Sequence, residues 1–210
     1  MTSPRRTFLR SVSALSLVAL APLALAGCAS ANPNYYRIVM APGTPMTGAS
    51  GVIEVRSISI PGYLDRDGII KSAAETKLDI HSNDLWAEPL ADMLQATMVQ
   101  DLAQRLTGST VIGSGGAIGA NPAILVEINV LGFDPDASGM MVLSAQVAIR
   151  EGASLKTLTT QTIRRTGPAG GPTVSGIANS MSALWGQGAD DIAALVVQNW
   201  RAGASSAAGG

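Results

Sequence analysis

The pattern of apolar residues predicts two amphipathic helices. Apolar side chains recur at every fourth position from about residue 85 to residue 106, and Asp and Gln lie mostly off that stripe, as in a helix packed on one side. Asn83 or Asp84 is the predicted N-cap, and Pro89 falls in the first turn. A second helical period begins near Thr173. The first stripe comprises Leu90, Leu94, Met98, Leu102 and Leu106.

Shorter stretches rich in β-branched residues predict strands before, between and after these features. Around Ser57 the alternation of apolar residues changes phase, which predicts a bulge or a strand buried on both sides. Three later stretches, separated by turn residues, predict an antiparallel meander with a Thr- and Gln-rich edge strand. The order of elements predicts a single-domain α+β fold, a mostly antiparallel sheet with the two helices on one face. The predicted strands are 35–40, 51–60, 68–73, 77–82, 123–133, 140–150 and 155–165.

The N-terminal segment has the pattern of an export signal that ends in a lipid attachment site. Three arginines precede residues 11–26, which carry no charge. As a helix this stretch would rise about 24 Å, short of a bilayer core of about 30 Å. Leu25-Ala26-Gly27-Cys28 resembles the lipobox of bacterial lipoproteins, whose cysteine is acylated. We predict a lipoprotein signal peptide at 1–27, for either the twin-arginine or the general export route, and lipid attachment at Cys28.

A short tether and one domain follow the signal. Residues 28–34 form the predicted lipidated tether, residues 35–201 the domain and residues 202–210 a disordered tail. Ala29 stands where Asp would signal retention in the inner membrane, so resemblance to lipoprotein sorting predicts the periplasmic face of the outer membrane. Hydrophobic residues make up 47% of the chain and charged residues 14%, which excludes a disordered protein.

Residue counts argue against several kinds of chemistry. Lys and Arg number 14 against 15 Asp and Glu, so no basic excess favours nucleic acid. One cysteine allows no internal disulfide, and any Ser-His-Asp device would need the only histidine, His81. We predict that the protein is not an enzyme and that His81 is a capping or surface residue.

Two acidic pairs and a glycine-rich loop could be taken for ligand sites. Asp65 with Asp67, and Asp134 with Asp136, have the spacing of metal ligands, but both pairs lie in turn sequences where Asp bonds local backbone. Residues 113–119 are glycine-rich but lack the Lys-Ser/Thr ending of a phosphate loop. We therefore predict no metal and no other cofactor.

Three short segments carry a resemblance to a known family. They are Tyr-Tyr-Arg-Ile at 35–38, Ile-Ser-Ile-Pro-Gly-Tyr-Leu-Asp-Arg at 58–66 and Trp-Ala-Glu-Pro-Leu at 86–90. Together they resemble the ABC-type transport auxiliary lipoprotein family, which includes PqiC-like outer-membrane lipoproteins associated with MCE-domain transport systems. The chain departs from the family pattern at Asp67-Gly68, where Pro usually follows the Arg. The resemblance implies a non-catalytic partner of an MCE-domain protein and its ABC permease and ATPase in lipid transport.

Tyr63-Leu64-Asp65-Arg66 is the candidate partner-binding motif. Tyr and Arg are residue types enriched at interfaces, but a local turn with an Asp–Arg pair is an equal alternative. Two other functions stay open: an outer-membrane assembly lipoprotein that plugs or scaffolds a barrel, and a periplasmic hydrolase that acts through His81. A homo-oligomer is compatible with these functions.

Overall fold

Eight strands form two sheets in the computed structural model, which describes residues 32–74 and 76–207. Together with two helices they confirm the predicted α+β class. The sheets have the strand orders β1-β4-β3 and β5-β2-β6-β7-β8. The strands are β1 Asn34–Tyr36, β2 Gly51–Val55, β3 Gly68–Ala74, β4 Lys77–Trp86, β5 Ser109–Gly113, β6 Ile124–Pro135, β7 Met140–Glu151 and β8 Thr157–Pro168.

The larger sheet contains the predicted meander. Strands β6, β7 and β8 pair antiparallel in sequence order, and the Thr- and Gln-rich β8 is an edge strand, as predicted. The other half of this sheet is parallel, because β2 lies between β5 and β6 and runs in the same direction as both. Strand β5 falls outside the predicted elements.

The predicted bulge occurs where β2 ends. The ladder with β6 stops at Val55, and contact resumes at an isolated bridge between Ser59 and Asn129. The irregular backbone between these points turns Ile58 toward the core, so that Ile53, Val55 and Ile58 are all buried. The change of phase in the sequence therefore marks a change of backbone geometry.

The smaller sheet corrects the predicted start of the first helix. Strand β4 continues to Trp86 because it pairs in parallel with β1, with Asn34 opposite Asp84. Helix α1 spans Leu90–Arg105 and begins after Pro89, rather than near residue 85. The Asp84 side chain accepts hydrogen bonds within the sheet instead of capping the helix.

Both helices bury their apolar faces. The predicted stripe of α1 is buried at every position, with Leu94, Met98 and Leu102 fully inaccessible. Helix α2 spans Val174–Ala207, and the Thr173 side chain accepts a hydrogen bond from the Gly176 amide at its start. The helix runs past residue 201 into the predicted disordered tail, whose alanines favour helix. None of the described helices is long and apolar enough to span a membrane.

Candidate functional site

The Tyr63–Arg66 motif forms a tight turn between the bulge and β3. The Leu64 amide donates to the Pro61 carbonyl at 2.8 Å, and the Arg66 amide donates to the Leu64 carbonyl at 2.9 Å. Leu64 is buried, whereas Asp65 and Arg66 are exposed. The buried Leu64 side chain therefore holds the turn against the core, while Asp65 and Arg66 expose opposite charges to solvent.

Tyr63 fastens this turn to the larger sheet. Its hydroxyl donates to Oδ1 of Asp134 on β6 at 2.7 Å. Burial of the ring, followed by the hydrogen bond to Asp134, raises the pKa of Tyr63 well above its usual value. The hydroxyl also lies beside Gly132, where an added Cβ would stand 3.3 Å from it. The Tyr63 hydroxyl is thus already hydrogen-bonded within the domain.

The Arg66 side chain also bonds the backbone of the turn. Its Nε donates to the Tyr63 carbonyl at 2.5 Å, which orients the guanidinium on the surface. The structure thus divides the four predicted residues: Tyr63 and Leu64 hold the turn, whereas the side chains of Asp65 and Arg66 are exposed to solvent.

The Asp67-Gly68 departure from the family pattern has a structural role. The Asp67 carbonyl accepts the Trp86 amide at 2.8 Å and so joins the turn to β4. A Cβ at Gly68 would stand 2.8 Å from the His81 carbonyl oxygen, closer than side-chain carbons come to backbone. Glycine therefore allows β3 to approach β4 directly after the turn.

His81 lies within β4 and belongs to a polar cluster on the smaller sheet. Its Nδ1 is 3.0 Å from Oδ2 of Asp84, whose Oδ1 accepts from the Asn34 amide at 2.9 Å and the Tyr36 hydroxyl at 3.1 Å. The hydrogen bond from Asn34, then that from Tyr36 and the proximity of His81, hold the pKa of Asp84 below its usual range. The Nε2 of His81 is buried. A general base must lie within hydrogen-bond distance of the substrate proton that it takes, so this position does not favour general-base catalysis by Nε2.

Both members of the second acidic pair, Asp134 and Asp136, accept hydrogen bonds from other residues of the domain. Oδ1 of Asp136 accepts from the amide and hydroxyl of Ser138 and from the Met140 amide, and the hydrogen bond from the Ser138 hydroxyl is the main cause of the lowered pKa of Asp136. Asp134 is engaged by Tyr63, as described above. Over 32–74 and 76–207 no three His, Cys, Asp or Glu side chains are grouped as metal ligands.

The glycine-rich loop does not precede a helix. It lies between β5 and β6, whereas a phosphate loop opens a helix whose N-terminus receives the anion. Cys28, the predicted lipid attachment site, lies outside the described residues.

A buried charge cluster near the end of α1 escaped the sequence analysis. Arg105 is fully buried and donates to the Asp190 carboxylate at 2.6 Å, the Asp101 carbonyl at 3.0 Å and the Gly186 carbonyl at 2.9 Å. The segment between β1 and β2 also contacts this cluster: the Ala41 carbonyl accepts from Arg105 at 3.2 Å. Burial raises the pKa of Asp101. The cluster ties both helices to this segment.

One sequence signal could have revealed the cluster. Asp101 and Arg105 lie three and seven positions after Met98, which is where the buried face of a helix continues. A charged pair in that position indicates partners within the core, but its contacts with Asp190 and Ala41 come from distant parts of the chain.

These observations define an α+β domain that presents a rigid, charged turn on its surface. The sequence model of the ABC-type transport auxiliary lipoprotein component matches residues 36–193, so the chain belongs to this family.

Comparison with curated proteins gives a partial match. The chain is similar to the intermembrane transport lipoprotein PqiC of Escherichia coli strain K12, with 38% identity over 100 residues, or 45% of this chain and 54% of that protein. The PqiC of Shigella flexneri gives the same values. The match therefore spans about half the length of these relatives.

Solved structures show the same fold. A crystal structure of an uncharacterized protein superposes with a TM-score of 0.65 at 19% identity and covers 79% of this chain and 99% of that one. Protein XCC0632 from Xanthomonas campestris superposes with a TM-score of 0.61 at 13% identity and covers 81% of this chain and 96% of that one. At this level of identity the likeness concerns the fold.

Proposed function

We propose that this protein is a non-catalytic, lipid-anchored auxiliary component of an ABC/MCE-type transport system and docks the outer-membrane end of a lipid-transport conduit. Membership of the transport auxiliary lipoprotein family supports the general role, and similarity to PqiC, named as an intermembrane transport lipoprotein, supports the direction of the proposal. The lipobox ending in Cys28 supports anchorage at the periplasmic face of the outer membrane.

The turn at Tyr63–Arg66 is the proposed docking contact for the MCE-domain protein. A partner that binds a rigid element loses less conformational entropy than one that must order a mobile loop. Here the Tyr63–Asp134 hydrogen bond and the burial of Leu64 fix the backbone in advance. The exposed pair Asp65 and Arg66 supplies charge for specificity. This combination of a pinned backbone and exposed opposite charges is the observation that carries the proposal.

Co-purification with the MCE-domain protein tests this contact. The variant Arg66→Glu reverses the exposed charge but leaves Tyr63 and Leu64 in place, so the fold should persist. Lys156→Glu is the matched control, because Lys156 is an exposed cation between β7 and β8, at the opposite end of these strands from the Asp134 contact of the turn. We expect Arg66→Glu to reduce recovery of the MCE-domain protein about tenfold or more, as for a loss of about 1.4 kcal/mol, and the control to retain it.

Two results would contradict the proposal at different levels. Equal recovery by folded Arg66→Glu and by wild type would place the contact elsewhere on the domain. Failure of wild-type protein to recover any MCE-domain, permease or ATPase component from envelope membranes would count against the transport role itself.

A further inference from the structure

The segment that follows β1 is held firmly against both helices. We call residues 37–45 the strap. The Val39 amide donates to the Ser182 hydroxyl on α2 at 3.1 Å, and the Ala41 amide donates to the Asp101 carboxylate on α1 at 3.0 Å. The side chain of Ile38, a residue of the strap, is buried. The backbone therefore has one defined position, although it has no regular secondary structure.

Glycine at position 43 permits this close fit. A Cβ at Gly43 would lie 2.1 Å from Cζ of Arg105, and the guanidinium cannot withdraw because it is fully buried and bonded to several carbonyls. The strap thus passes directly over the buried cation. Because its backbone is held in this position, the strap side chains that face away from Arg105 are directed to solvent.

That outer side is apolar and aromatic, with one cation. Tyr35, just before the strap, is 64% exposed, Val39 is 41% exposed and Met40 is 47% exposed. Arg37 is exposed between them. Tyrosine, aliphatic side chains and arginine are the residue types that settle at the boundary between lipid headgroups and acyl chains.

The charges near this surface include exposed carboxylates as well as Arg37. Glu88 is exposed and follows Ala87, whose amide donates to the Tyr36 carbonyl, and the side chain of Asp190, which is bonded to Arg105, is 44% exposed. The other groups here carry no charge or are bonded within the domain. From Val174 to Ala189, which includes the Ser182 contact with the strap, α2 contains no charged residue. The nearby carboxylate of Asp84 is engaged by His81, Asn34 and Tyr36. The Asp101 carboxylate is buried beneath the strap.

The position of the predicted anchor brings this surface near a membrane. Cys28 precedes Tyr35 by only seven residues, which reach at most about 25 Å when fully extended. An acylated cysteine holds the chain at the bilayer surface, so Tyr35, directly before the strap, stays within that distance of the lipid.

We propose that Tyr35, Val39 and Met40 enter the headgroup region of the membrane, with Arg37 on lipid phosphates, and that this second contact fixes the orientation of the anchored domain. The inference rests on the lipid attachment included in the proposed function. A single flexible tether leaves a domain free to rotate, whereas a tether with a contacting surface selects one orientation and presents the Tyr63–Arg66 turn in a constant direction.

The test uses the full lipoprotein purified from membranes and reconstituted in vesicles of phosphatidylethanolamine and phosphatidylglycerol. Acylation occupies the thiol of Cys28, the only cysteine, so Val39→Cys provides a unique site for an environment-sensitive fluorophore. Ile118→Cys is the matched control, because Ile118 is an apolar residue, 73% exposed, in the loop between β5 and β6. Intact mass establishes the acyl chains before the fluorescence is measured.

We expect nitroxide lipids labelled near the headgroup to quench the probe at position 39 several-fold more than the probe at position 118. Arg37→Glu should reduce that difference in the anionic vesicles. Equal quenching at both positions in acylated protein would overturn the inference. A shielded probe at position 39 without lipid quenching would also overturn it, since it would assign the surface to a protein contact. Absence of acyl mass would refute the anchor and the inference together.

Discussion

Arg105 is the residue that links the two helices and the strap. Burial of a cation costs free energy unless its hydrogen-bond donors are satisfied. The Arg105 donors are satisfied by the Asp190 carboxylate and by the backbone carbonyls of Ala41, Asp101 and Gly186. Gly186 also makes room, since a Cβ there would lie 2.4 Å from Cβ of Ala41. The cluster thus specifies how α1, α2 and the strap fit together.

We expect removal of the Arg105 cation to lower the free energy of unfolding strongly. Arg105→Ala should lower the free energy of unfolding by about 3–5 kcal/mol, because it leaves the buried Asp101 carboxylate without its cation. Chemical denaturation of the purified protein measures the change. Arg164→Ala, which removes an exposed arginine, should change stability by less than about 0.5 kcal/mol. Similar small losses in both variants would show that Arg105 does not hold the helices together.

At the scale of elements, periodicity predicted those features that local sequence determines. The stripe of α1, the meander of β6 to β8 and the bulge after Val55 each follow from residues close in the chain. Strand β5 was missed because its five residues are too short for a clear alternation, and its parallel pairing with β2 crosses the whole of α1. The end of β4 was misplaced because only its pairing with β1 shows that Asp84 is in a strand.

In the candidate site, too, some features follow from local sequence and others depend on contacts between distant parts of the chain. The motif at residues 63–66 stood out from its sequence, but the tie between Tyr63 and Asp134 joins residues far apart in the chain. Local sequence therefore identified the turn, while the separation into anchoring and exposed residues needed the fold.

The packing of α1 leads to a prediction at this scale. Leu94 is fully buried, and its backbone carbonyl accepts the Trp185 indole N–H at 3.1 Å. Leu94→Ala should cost about 2–5 kcal/mol through the lost contacts and the cavity that remains. Gln100→Ala on the exposed side of the same helix is the control. A shift in the denaturation midpoint no larger than that of the control would mean that this face is not in the core.

At the scale of the whole molecule, the proposed anchor and the proposed docking contact would act together. The predicted tether is too short to carry the domain across the periplasm, so its contacts are confined to the neighbourhood of its own membrane. In the proposed function such a component would act by holding a partner in place, in keeping with the family of transport auxiliary lipoproteins to which the chain belongs.

The anchor itself is open to a direct test. Cys28→Ser removes the thiol that would receive the diacylglycerol group, so metabolic labelling with a palmitate analogue should disappear and uncut precursor should accumulate. Wild-type protein expressed in parallel is the control. Equal labelling of the variant and the wild type would refute lipid attachment at Cys28.

Site-specific photocrosslinking tests the docking claim most directly. A photoreactive phenylalanine replaces Asp65, an exposed residue of the turn, or Ile118 as a control in the loop between β5 and β6. Because a crosslink forms only at contact distance, we expect an adduct with the MCE-domain protein from position 65 and little or none from position 118. No adduct from position 65, in membranes where the lipoprotein and the MCE-domain protein co-purify, would contradict docking through this turn.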